Sequence, residues 1–176
     1  MPIKDKSMSI IRIKPSSQHS LSSFFQDIFY RDKSGSLAGS ALRIYNKIRQ
    51  EPGIRSSEWQ EHISTVFKVT PVDFAEVAVL KEICKKHGLT ERLRGKKPYQ
   101  VLIEKHSNGK IKIDEKELAL LQRVSKWHSA VSSYYSIINK LKAIGMIEKK
   151  EGNYIASNRF VNSLKAIERS LQDGKT

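Results

Sequence analysis

The feature that most constrains the fold is a phrase that occurs twice. "HGLTERLRGKKPYQV" (87–101) and "IGMIEKKEGNYIA" (144–156) align with Gly88 on Gly145, Leu89 on Met146, Glu91 on Glu148, Gly95 on Gly152 and Tyr99 on Tyr154. Each copy opens with a glycine able to take the left-handed conformation that ends a helix. Each then continues as two short extended stretches around a second turn, the first copy being two residues longer. An internal repeat of this kind sets the architecture before any single residue is weighed.

The segments ahead of each copy read as helices. Ala41, Leu42, Ile44, Tyr45 and Ile48 recur at helical spacing until Glu51-Pro52-Gly53 stops them. Ser57-Glu58-Trp59-Gln60 has the form of a capping box ahead of Ile63, Val66 and Phe67, and Thr70-Pro71 starts a third helix that runs to about His87. Three helices and a hairpin make a winged helix-turn-helix over 39–104. In the second copy, Asp114-Glu115-Lys116-Glu117 opens a helix with Leu118, Leu121, Val124 and Trp127 inward, a short helix lies near 128–131, and a third runs from Ser132 to Ile144, giving a second unit over 110–157. Asn108-Gly109 also suits a hairpin turn joining "YQVLIE" to "KIKI". The expected fold class is mainly α with small β-hairpin wings (α+β): tandem winged helix-turn-helix units behind a flexible N-terminal arm, 1–36, rich in Ser, Lys, Pro and Asp; the alternative is one winged helix with a helical extension. A final helix over 158–172 puts Phe160, Leu164, Ile167 and Leu171 on one stripe, which suits packing on its own domain or a homodimer seam.

Charge selects the partner. With 32 Lys plus Arg against 18 Asp plus Glu, the chain carries a formal +14, which attracts phosphates and releases their counterions on contact. Double-stranded DNA is the expected ligand. No apolar run is long enough to span a bilayer, so no membrane partner is expected. Cys84 is the single cysteine, which leaves no intramolecular disulfide and no thiolate zinc site in one chain. Without the pattern of a secretory signal at its start, the chain reads as cytoplasmic and nucleoid-associated, or nuclear in a eukaryote.

In a helix-turn-helix the reading helix buries one stripe and offers the other to base edges. Tyr134, Ile137 or Ile138, Leu141 and Ile144 supply the buried stripe, leaving Ser132, Ser133, Tyr135, Ser136, Asn139 and Lys140 outward, with Lys149 and Lys150 on the adjoining wing. Residues 110–157 resemble the winged-helix DNA-binding superfamily in this respect. The first unit is a poorer base reader, because its third helix presents Asp73 and Glu76 to the phosphates. Its wing concentrates Arg92, Arg94, Lys96 and Lys97, a phosphate clamp.

The arm holds "QHSLSSFF", in which Gln18, Leu21, Phe24 and Phe25 follow the pattern Q-x-x-h-x-x-a-a, with h aliphatic and a aromatic. It resembles the PIP box with which replication and repair proteins bind the sliding clamp PCNA. A single turn brings Leu21, Phe24 and Phe25 together as an apolar plug, and Gln18 fixes the register. The same residues, with Ile28 and Phe29, also suit an amphipathic helix packed on the body.

No phosphate loop, zincin helix or nucleophile elbow occurs, the five histidines lie far apart, and no carboxylate cluster suits a nuclease metal. No cofactor and no enzymatic activity are expected. The reading is a DNA-binding accessory protein of replication or repair that docks on the clamp. Two others stay open: a sequence-specific winged-helix transcriptional regulator, and a winged-helix protein scaffold.

Overall fold

The computed structural model describes residues 20–30, 36–50, 54–92 and 95–173. Their elements are α1 (Leu21–Ile28), α2 (Ser36–Gln50), β1 (Ile54–Arg55), α3 (Trp59–Phe67), α4 (Phe74–Lys86), α5 (Pro98–Ser107), α6 (Glu115–Ala143), β2 (Ile147–Lys150), β3 (Asn153–Ala156) and α7 (Arg159–Asp173). This is a mainly helical α+β chain with one small antiparallel sheet. It divides into two compact units: unit 1 takes residues 1–56 and 137–176, and unit 2 the uninterrupted stretch 57–136.

Unit 1 grows from apolar spacing in its helices. Ala38, Ala41, Ile44 and Ile48 line the inner stripe of α2, and Phe25, Ile28 and Phe29 face inward from α1 and the turn after it. Ser20 caps α1, its hydroxyl accepting from the Ser23 amide at 3.2 Å. Ile137, Ile138 and Leu141 are buried along the end of α6. The strands run in the order β1-β3-β2, all antiparallel. Lys150 and Asn153 flank a two-residue turn, Glu151-Gly152, with φ of 50° and 82°. Two positive φ values make the I′ geometry that matches strand twist. Ile54 and Tyr154 pair on the buried face of the sheet, while Arg55, Asn153 and Lys150 form a row on the other.

Unit 2 has its own core, in which Leu80, Ile83 and Cys84 of α4 meet Tyr99 and Leu102 of α5 and Leu121 and Val124 of α6, with Ile113 ahead of α6. Asp73 caps α4 and closes a box with Glu76: the Glu76 amide donates to Asp73 at 2.8 Å, and the Asp73 amide to Glu76 at 3.1 Å.

Several expectations are corrected here. The first wing does not form, because residues 98–107 are helix α5: Pro98 occupies its first turn, Gln100 accepts from the Lys97 amide at 3.0 Å, and Tyr99 and Leu102 share its buried side. The short helix near 128–131 and the helix from Ser132 are parts of the single unbroken α6. Hence the two units do not follow 39–104 and 110–157. Residues 56–58 form a 3-10 turn in place of a Ser57–Gln60 box, and α4 starts at Phe74 rather than at Thr70-Pro71. Within the arm, 21–28 is helical and packed on α2.

What the two phrases share is the helix cap before them. After α4 the Gly88 amide donates to Lys85 O and the Leu89 amide to Cys84 O; after α6 the Gly145 amide donates to Lys142 O and the Met146 amide to Leu141 O. Both are Schellman motifs with glycine at positive φ. α5 ends in the same way: the Gly109 amide donates to His106 O and the Lys110 amide to Lys105 O.

Candidate nucleic-acid interface

In unit 1, Asn139 and Lys142 are exposed on one side of α6, opposite the buried Ile137, Ile138 and Leu141. Only Ile144 to Met146 separate this helix from β2, whose Lys149 and Lys150 are exposed. The Lys149 ammonium lies 6.0 Å from the Tyr154 ring centroid, a cation-π contact that holds it at the sheet edge. Arg55 is exposed on β1, across Asn153 from Lys150. The sheet thus puts Arg55 on the same face as Lys150, while Lys149, opposite Tyr154, starts from the other face. Arg55 escapes a sequence reading because a two-residue strand is too short to show alternation. Lys140 is half-buried, its ammonium 5.3 Å from the Phe29 ring centroid, so it packs over an aromatic and does not project as a base reader. Glu148 lies 3.6 Å from Arg159, which offsets its charge beside the hairpin.

The rest of the expected reading face belongs to unit 2. Ser136 is exposed, Ser133 half-buried, and Tyr135 sits with its ring 6.1 Å from that of Trp59, which in turn lies 6.0 Å from Trp127. Three residues of the expected phosphate clamp are described, Arg92, Lys96 and Lys97. Arg92 is exposed, Lys96 is ion-paired with Glu104, and Lys97 is half-buried ahead of α5, 5.7 Å from the Tyr99 ring centroid. Burial, and then the Arg92 charge, pull the Lys97 ammonium below its ordinary range. The bond from Lys96 holds the Glu104 carboxyl low. Arg94 lies outside the described residues.

Asp73 and Glu76 are engaged in capping, and Glu76 also pairs with Arg123. The Tyr99 hydroxyl is 2.8 Å from His128 Nδ1, with the rings stacked. Burial, and then Lys97, lower the His128 pKa, and in the neutral ring the tautomer decides whether Tyr99 donates or accepts in this bond.

The residues of the clamp-like motif are placed differently from the expectation. Phe25 is 0% exposed, stacked on Phe29 at 6.5 Å and 5.8 Å from the Tyr45 ring. Phe24 is half-buried against Phe160 at 5.0 Å, and Leu21 is half-buried. As folded, α1 spends its aromatic anchor on its own core and offers no three-pronged plug; Gln18 lies outside the described residues.

Among the described residues no group of three or more His, Cys, Asp or Glu could hold a metal ion. Nor is any helix there long and apolar enough to cross a membrane.

The profile of an archaeal family matches residues 77–172, more than half of the chain. The chain belongs to that family. The match begins inside α4 and ends inside α7, taking in all of α6 and the hairpin but neither β1 nor the 18–25 motif. No curated protein and no solved structure matches the chain.

Proposed function

We propose that the protein binds duplex DNA through unit 1, as a single winged-helix-like unit without enzymatic activity. The observation that carries this reading is the sheet order β1-β3-β2: a strand from ahead of the helix closes beside the hairpin that follows it, and the outer face gathers Arg55, Asn153 and Lys150. In this arrangement Asn139 and Lys142 on α6 meet the major groove, where Asn reads adenine and Lys reads guanine, while Arg55, Lys149 and Lys150 hold the phosphates. The net charge of +14 supports a polyanionic partner. Clamp docking is not part of the proposal, because presenting Phe25 requires α1 to leave the core. A role on chromosomal DNA follows from the ligand; replication, repair and transcription differ in the sequence preference they demand.

Fluorescence anisotropy on a labelled random duplex tests the reading. If Arg55, Lys149 and Lys150 each neutralise one phosphate, log affinity falls with log salt with a slope of about −2.7, and Lys149→Gln/Lys150→Gln reduces it to about −0.9. An unchanged slope in that variant refutes the assignment. A preference above about a thousandfold for one sequence over random duplex makes the protein a sequence-specific regulator.

A further inference from the structure

Helix α4 carries both an apolar plug and an apolar socket. The plug is Phe74, 94% exposed at the first position of the helix. An aromatic ring this bare gains on burial and is a common interface anchor. The socket is a half-open cleft of about 380 Å³, lined by the apolar Leu80, Cys84, Leu89, Pro98 and Tyr99 and also by Lys81, Glu82 and Lys85.

Phe74, Ala78, Lys81 and Lys85 follow one another at steps of four, three and four, and so share one face of α4. Ala78, exposed and small, leaves room for a second helix to approach closely. Plug and socket are separated by about 15 Å along the axis, from residue 74 to residue 84, at 1.5 Å per residue. If two α4 helices cross antiparallel about a two-fold axis near residues 79 and 80, residue 74 of each lies beside residue 85 of the other. One charge pairing favours this alignment. Asp73 at the start of one helix then lies next to Lys85 at the end of the other, and the helix dipoles oppose.

We propose that two copies of this chain pair through α4, each inserting Phe74 into the other's Leu80–Tyr99 cleft. The contact is isologous, so it closes at two. It is independent of nucleic acid.

Sedimentation velocity across a protein concentration series, without DNA, tests this. The expected result is a reversible monomer–dimer equilibrium with no larger species. Phe74→Ala removes two plugs at once and raises the dissociation constant at least about a hundredfold. Ala78→Arg, at the crossing point, abolishes pairing, and Lys85→Glu weakens it. All three sites are exposed, and circular dichroism and Tm matching the parent establish that the variants are folded. A chain that is monomeric throughout overturns the proposal. So does a dimer indifferent to Phe74→Ala and Ala78→Arg, and so does open-ended growth, which indicates head-to-tail insertion.

Discussion

Replacing Phe25 by Ala separates a structural α1 from a detachable docking peptide. The ring is fully buried, with Phe24, Phe29 and Tyr45 at centroid distances of 6.2, 6.5 and 5.8 Å. Truncating a core Phe to Ala costs roughly 3–5 kcal/mol, from lost transfer energy and the cavity left behind. The three aromatic neighbours place Phe25 in the middle of that range or above, at about 4 kcal/mol. Phe24 is the internal control: half-buried, with Phe160 as its further ring partner, it should cost roughly 1–2 kcal/mol when truncated. Urea unfolding followed by far-UV circular dichroism measures both. Trp59 and Trp127 both lie in unit 2, so tryptophan fluorescence reports that unit separately. A loss below about 1 kcal/mol for Phe25→Ala, or equal losses at the two positions, refutes the packing argument. It also restores the peptide as a free ligand for a clamp.

Gly145→Ala should destabilise by roughly 1–3 kcal/mol, since φ is +77° and a Cβ there meets Arg159 Cβ at 3.1 Å; thermal melts reporting less than Gly88→Ala contradict this. Gly88→Ala, at φ +67° with nothing within 4 Å of the new Cβ, carries only the backbone cost of about 1 kcal/mol. Because burial lowers the folded-state pKa of His128, its contribution to stability is present above the ordinary imidazole value and is lost as pH falls towards the lowered one. An NMR titration should place its midpoint below that of a free imidazole, and a midpoint at or above it removes the argument. Tyr99→Phe takes away the partner of His128 Nδ1 and should cost about 1 kcal/mol at neutral pH by denaturant melts, with no change expected if the 2.8 Å bond contributes nothing.

Long periodic stripes were readable from the sequence, and short elements were not. Ala41, Ile44 and Ile48 repeat over enough turns to identify α2, and Tyr134, Ile137, Ile138 and Leu141 are buried as their spacing requires. Glycine after a helix was legible too, but its meaning was local. Gly88, Gly109 and Gly145 all mark Schellman caps, and among the described residues only Gly145 is followed by strands, so the apparent repeat reflects how helices end rather than what succeeds them. Lys97-Pro98 illustrates the ambiguity. A proline suits a turn between strands as well as the first turn of a helix, and the burial of Tyr99 and Leu102 against α4 and α6 decides between them. Phe25 was visible as an anchor, but what it anchors to depends on Phe29 and Tyr45, a tertiary matter. In the candidate interface, Lys149, Lys150 and Asn139 follow from local pattern, whereas Arg55 joins them only through its pairing with Asn153.

The two-residue strand β1 also bears on how the polypeptide is made. Ile54 leaves the ribosome well before Tyr154, with which it pairs, so its hydrogen-bonding edge has no partner until β3 has emerged. Unit 2 is a continuous stretch and meets no such delay. During synthesis, unit 2 can therefore be complete before the sheet of unit 1, and the proposed DNA-gripping surface exists only once β3 has joined β1.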